Sequence, residues 1–173
     1  MIEQDSKPFL YVVCAAGIAA GVGQLIAAAQ ELDWEVGVIA TPVAASGFFD
    51  VPAVEAQTGR SVRSAWRVPG DPRPFPPPDA VVVAPATFNT INKWAAGTAD
   101  TLALGTLCEA YGLGVPIVVL PCVADALAAH PAYQESLVRL RGMGVRFGDP
   151  YSGEDQPDGG RPEFGWERAL DLL

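Results

Sequence analysis

Four short runs of apolar residues punctuate the chain: "FLYVVCA" (9–15), "EVGVIAT" (35–41), "AVVVAP" (80–85) and "VPIVVLP" (115–121). Their apolar positions are nearly continuous rather than alternating, the mark of strands buried on both faces. "GVRF" (144–147) predicts a fifth, short strand. The stretches between them carry helical patterns: "IAAGVGQLIAAAQEL" (18–32), "AASGFFDVPAVEAQTG" (44–59, interrupted at Gly47 and Pro52), "ADTLALGTLCEAYGLG" (99–114) and "PAYQESLVRLRGMG" (131–144). The last opens on a proline, pre-shaped for a first helical position, and closes on glycine. Strands alternating with helices predict βαβ units, a parallel sheet of five or six strands and, with right-handed crossovers, a single three-layer α/β domain. The core is expected over 1–147 and a flexible loop over 148–162. A C-terminal helix, "EFGWERALDLL" (163–173), should complete the same domain. The proline-rich "VPGDPRPFPPPD" (68–79) reads as an extended, solvent-facing connection.

Composition narrows the function. The 173 residues suit one domain and carry a net charge of −9, which argues against a nucleic-acid partner. No run approaches the ~18 apolar residues of a membrane span, and the first residues lack a basic, then apolar, signal pattern. The expectation is therefore a cytoplasmic protein. Cys14, Cys108 and Cys122 are far apart with no C-x-x-C pair, and His130 is the sole histidine, so neither a disulfide framework nor a metal site is expected.

In a parallel sheet, ligands bind beyond the carboxyl ends of the strands, so the residues just after each run carry the functional signal. After the first run, Gly17 permits a tight turn and Ile18 opens a helix. The turn either holds an anion or simply joins strand to helix; it is not G-x-G-x-x-G. After the second, Thr41 and Ser46 offer hydroxyls to a phosphate, or Thr41 caps a helix, and Phe48 and Phe49 follow. After the third, Pro85 ends the strand and Thr87, Asn89 and Thr90 crowd into four positions. One helix cap needs one such residue. The surplus amide and hydroxyls suit the polar edge of a flat heteroaromatic ring.

"PATFNTINKWAAGTADTLA" (85–103) resembles the P-x-S-A-N-T-x-x-K-x-x-x-G-x-x-D-x-L signature of the flavin-containing cysteine decarboxylases. These include phosphopantothenoylcysteine decarboxylase and the peptidyl-cysteine decarboxylases of lantibiotic pathways. Pro85, Asn89, Thr90, Lys93, Gly97, Asp100 and Leu102 match. Thr87 replaces a serine and Phe88 an alanine. Gly17-Ile18-Ala19, "TPVAASGF" and "HPAYQESLVRLRGMGVRF" extend the likeness along the chain. The resemblance implies a Rossmann-like, flavodoxin-like fold. It implies FMN held by Gly17, Ile18, Thr41, Phe48, Pro85, Thr87, Asn89, Thr90 and Asp100, and a homo-oligomer built from trimers. It also implies oxidative decarboxylation of a cysteine-derived carboxylate, at a peptide or carrier-linked cysteine. Oxidation at the cysteine β-carbon gives a thioaldehyde, whose C=S accepts the electrons released as CO₂ leaves, yielding an enethiol.

Three further positions depart from that pattern. The histidine that serves the family as base aligns with Asp71, and the asparagine of its P-A-M-N segment with Ala124, Cys122 standing where that segment has alanine. Asp71 and Cys122 are the candidate catalytic replacements. Asp71 is either a base or an exposed loop carboxylate, and Cys122 either a reactive thiol or a structural one. His130 caps or reacts; Asp125 caps or binds a cation; Arg67 and Arg73 bind a substrate carboxylate or are solvated. Three functions follow: a decarboxylase, a flavin-binding subunit without that activity, and a flavin oxidoreductase of another kind.

Overall fold

The structure is a computed structural model that describes residues 7–15, 17–149 and 164–173. Five strands form one parallel sheet in the order β2-β1-β3-β4-β5: β1 Phe9–Cys14, β2 Glu35–Ala40, β3 Ala80–Ala86, β4 Ile117–Pro121 and β5 Arg146–Phe147. The parallel sheet is the one expected from the alternation of apolar runs and helical patterns, and its order is the flavodoxin-like one that the resemblance implies. Val12 lies opposite Val38 on one side and Val82 on the other, and Val82 opposite Val118. These four valines share one face of the sheet and one core cluster, with Leu25, Ile26 and Trp166. The next residues along, Val13, Ile39, Val83 and Val119, point to the opposite cluster with Ile91, Trp94 and Leu107. Both faces are thus dry, which is why the strands read as unbroken apolar runs.

Helices α1 (Val22–Glu31), α3 (Val51–Thr58) and α8 (Arg168–Asp171) pack on the first face. Helices α4 (Phe88–Ala95), α5 (Leu102–Gly112) and α7 (Pro131–Gly142) pack on the second. Two short helices follow strands directly: α2 (Pro42–Ala45) after β2 and α6 (Asp125–Ala128) after β4.

Several boundaries differ from the sequence reading. The pattern over 18–32 begins as a 3-10 turn at Ala19–Gly21 and becomes α-helical only at Val22. The pattern over 44–59 is two helices, separated around Gly47, and Pro52 lies in the first turn of α3 rather than interrupting it. Pro85 does not end β3: the strand continues to Ala86 through a cis Ala84–Pro85 bond and a shift of register between Val83 and Ala86. Helices α4 and α6 are not evident from the sequence pattern: α4 is an eight-residue helix that begins within the polar cluster of 87–90, and α6 is a single turn without a side-chain cap.

The C-terminal helix is shorter than expected, Arg168–Asp171, and the stretch before it is anchored by one side chain. Trp166 is buried, its ring edge-on to Phe164 with centroids 4.6 Å apart. A Cβ placed on Gly21 would stand 2.6 Å from the Trp166 indole nitrogen, so Gly21 is the gap into which the indole fits. Arg146 of β5 donates to the carbonyls of Leu172 and Leu173, tying the chain end to the sheet edge. Of the loop expected over 148–162, all but Gly148 and Asp149 lies outside the described residues.

Candidate active site

The chain leaves β1 for β2 on one side and leaves β3 for β4 on the other, so the order of the sheet reverses between β1 and β3. A crevice opens at such a point beyond the strand ends. Its rim is held by backbone bonds between neighbouring ends. Ala15 N–H donates to Pro85 O (3.1 Å), Thr41 N–H to Cys14 O (2.9 Å) and Cys122 N–H to Ala86 O (2.9 Å). Four strand-end segments are therefore fixed relative to one another before any side chain is considered.

Gly17 has φ +91°, a conformation that L side chains rarely adopt. A Cβ here would lie 3.8 Å from Cys122 Sγ, so the β1 turn and the β4 end meet at these two residues. Burial pushes the Cys122 thiol up from its ordinary pKa, and hydrogen bonding from the Ile18 backbone opposes that only in part. The sulfur is accordingly protonated at neutral pH. The Ile18 backbone, which sequence reading offers to an anion, is engaged with this sulfur. Cys14, at the end of β1, is buried more deeply and pushed up to about 12.

At the β2 end, Thr41 Oγ1 accepts from Ala44 N–H (3.1 Å) and Ser46 Oγ donates to Val43 O (2.7 Å). Both hydroxyls serve α2. Phe48 is 41% exposed, a large aromatic face beside the rim, whereas Phe49 is buried.

At the β3 end, Thr87 caps α4: its Oγ1 accepts from Thr90 N–H (3.3 Å) and donates to Thr90 Oγ1 (3.1 Å). Thr90 is buried. Asn92 bonds Ser136 Oγ across to α7 (2.8 Å). The polar cluster thus divides. Thr87, Thr90 and Asn92 hold the helix in place, while Asn89 is exposed and its amide makes no bond among the described residues. Asp100 pairs with Lys93 (2.6 Å), closing the turn between α4 and α5.

Phe88 stacks on Tyr133 (centroids 5.9 Å apart, planes at 22°) and meets the His130 ring edge-on at 5.9 Å. Sequence reading did not connect these three. His130 Nδ1 accepts from Ala132 N–H (3.1 Å), which leaves the proton of the neutral ring on Nε2. In that tautomer the other nitrogen, Nε2, donates and does not accept. Ala124 stands at the N-cap of α6 without a side-chain bond. Asp71 is exposed and closes its own turn. Its N–H donates to Val68 O (3.2 Å), and its Oδ2 accepts from Val68 N–H (3.3 Å). Arg67 Nη1 donates to Asp71 O (2.7 Å).

Comparison with known proteins fits this geometry. The sequence matches the family described as "Flavoprotein" over residues 3–165. The chain belongs to the flavoprotein family. This flavoprotein superimposes on the FMN-dependent cysteine decarboxylase SpaF with a TM-score of 0.72 at 25% identity, covering 96% of each chain. It is 36% identical over 72 residues to the coenzyme A biosynthesis bifunctional protein CoaBC of Thermococcus kodakarensis, 42% of this chain and 18% of that protein. It is 40% identical over 76 residues to a cysteine/cysteine sulfinic acid decarboxylase from an unknown prokaryotic organism, 44% of this chain and 20% of that protein. These matches span about a fifth of the length of the two curated relatives. Among the described residues of this flavoprotein, no helix is long and apolar enough to cross a membrane, and no group of His, Cys, Asp and Glu could hold a metal ion.

Proposed function

We propose that this flavoprotein binds FMN at the crevice between β1 and β3 and decarboxylates a cysteine-derived carboxylate, at the end of a peptide or on a carrier. The observation that carries the reading is the exposed Asn89 amide, without a partner among the described residues, on a rim where the Thr87 and Thr90 hydroxyls are committed to the fold. A flat ring with donors and acceptors along its edge suits that amide. The positive φ of Gly17 lets backbone approach a ligand closely, and exposed Phe48 offers it an apolar face. Pro85, Thr41, Thr87, Thr90 and Asp100 hold the rim, and Ile18 lies on its first turn.

FMN, when bound, supplies the two-electron oxidation of the substrate's carbon–sulfur unit, which makes loss of CO₂ possible. The remaining tasks fall to the chain. A group must take the thiol proton, and the substrate carboxylate must be oriented and kept from water. Asp71 is the group we assign to the proton, through its exposed carboxylate. Cys122 stays a thiol, lying against Gly17, and shapes the crevice floor. Exposed Val43, Phe48, Leu127 and Val138 support association of copies, and we expect a homo-oligomer built from trimers in the cytoplasm.

A second reading is favoured by the Asp71 turn and by Ala124. The Asp71 carboxylate already serves its own turn, and the α6 N-cap offers no amide to a substrate. On that reading the protein binds FMN without decarboxylating, as a subunit or a different flavin oxidoreductase. One experiment separates the two: an absorbance spectrum of the purified protein, then anaerobic titration with peptides ending in cysteine. Bleaching of the flavin with loss of one CO₂ from the peptide is the expected result. A flavin-loaded protein that ignores every such peptide leaves the second reading. A colourless protein that cannot be reconstituted with FMN overturns both.

A further inference from the structure

A hollow of about 480 Å³ lies between α5 and the segment that precedes β3, and its walls include Arg63, Trp66, Arg67, Arg73, Phe75 and Glu109. Arg67 joins it to the Asp71 turn, Nη1 donating to Asp71 O (2.7 Å). Ile39 and Arg63 join it to the end of β2: the Arg63 N–H donates to Val38 O (3.0 Å) and its carbonyl accepts from Ala40 N–H (2.8 Å). The hollow is therefore continuous with the turn assigned above to the thiol proton. It is the substrate side of that site, and it is larger than a terminal cysteine fills.

Its charge sets it apart from the rest of the chain. Three of the eleven cationic residues surround it in a protein of net charge −9. Lys7, Arg60, Lys93 and Arg168 each meet a carboxylate, whereas Arg63, Arg67 and Arg73 meet none among the described residues. The Arg63 Nε is buried with nothing to bond, a state that costs free energy unless a ligand completes it. Guanidinium groups recognise carboxylates through paired N–H donors. An acidic ligand is repelled by most of this surface and attracted here. Glu109, on the same wall, suits a peptide N–H and disfavours a doubly charged phosphate. Phe75 is buried against Phe9 and Tyr11, and Trp66 lies over Gly105 of α5, so both rings are fixed as apolar walls.

We infer, resting on the decarboxylase reading, that this hollow is the specificity pocket of that site and that the substrate is an acidic peptide. Its acidic side chain lies within the three residues before the terminal cysteine, since an extended chain advances about 3.3 Å per residue. The side-chain carboxylate meets the three arginines, the peptide lies along Trp66, and Glu109 accepts from a peptide N–H.

The test compares acetylated pentapeptides that end in cysteine and carry Glu, Gln or phosphoserine at each of the three preceding places, the rest alanine. Release of CO₂ by the FMN-loaded protein is followed by mass spectrometry. Binding is followed on the Trp66 indole N–H by NMR, assigned with Trp66→Phe, using the same peptides with serine in place of the cysteine. At one of the three places Glu should be preferred over Gln about tenfold, in kcat/KM and in Kd. Arg67→Gln and Arg73→Gln, both at exposed positions, should each remove most of that preference. Equal handling of Glu and Gln at all three places, with CO₂ released, overturns the inference and leaves the decarboxylase reading standing. Three other results overturn it too: no shift with any peptide, a Glu preference that survives in both variants, and tighter binding of phosphoserine than of Glu, which points to a phosphorylated carrier. A tenfold binding preference for Glu without CO₂ release from any peptide supports the pocket and removes the reaction.

Discussion

The sulfur of Cys122 lies 3.8 Å from the point where a Cβ on Gly17 would stand, joining residues more than a hundred positions apart across the end of the sheet. The glycine holds φ +91°, so the contact and the backbone conformation reinforce each other. Gly17→Ala should cost about 1–2 kcal/mol, because a Cβ is disfavoured in the left-handed region whatever the space around it. Flavin occupancy should fall with it. Thermal denaturation and the ratio of flavin to protein absorbance give both numbers, and an unchanged melting temperature would contradict the strain argument.

Thr87 and Asn89 are two residues apart and should behave differently. Thr87→Ala removes the cap of α4 and should destabilise by about 1 kcal/mol. Asn89→Ala removes an exposed amide with no partner among the described residues and should change stability by less than about 0.5 kcal/mol. If Asn89 serves the cofactor, its variant alone will show weaker FMN binding than its stability predicts. Equal losses of stability and FMN affinity in the two variants would place Asn89 among the structural residues.

Trp166 and Gly21 form an interlocking pair. Trp166→Ala should cost about 3–5 kcal/mol through the cavity it opens. Gly21→Ala should cost about 1–3 kcal/mol, since a Cβ there would stand 2.6 Å from the indole nitrogen. In the double variant the added methyl no longer meets the indole, so the total should be less than the sum. Urea denaturation of the four proteins measures the coupling; strict additivity would mean that the two residues act separately.

Alkali should destabilise the fold through Cys14. Its pKa is pushed from 9.0 to about 12 by burial, so above pH 9 the unfolded chain loses a proton that the folded chain keeps. Stability then falls as pH rises between those values, with a slope of about 1.4 kcal/mol per pH unit from this group. Tyr11, Tyr133, Cys108 and Cys122 are raised as well and add in the same direction. Cys14→Ala should flatten the dependence relative to the parent protein, and an unaltered slope would remove Cys14 from the explanation.

Sequence alone determined the sheet. Four apolar runs long enough to be strands, buried on both faces, with helical patterns between them, leave little choice but a parallel α/β sheet. The likeness over 85–103 was equally legible, because its residues are contiguous. The tertiary structure decided what those residues do. Thr87 and Thr90 bond each other and Asn92 bonds Ser136, whereas the Asn89 amide has no partner among the described residues, and spacing along the chain cannot reveal which partner wins. The meeting of Gly17 with Cys122, of Gly21 with Trp166, and of three arginines around one cavity involves segments brought together only by the crossovers. Local propensity fixes hydrogen bonds between near neighbours; contacts across the sheet depend on how its two faces are packed.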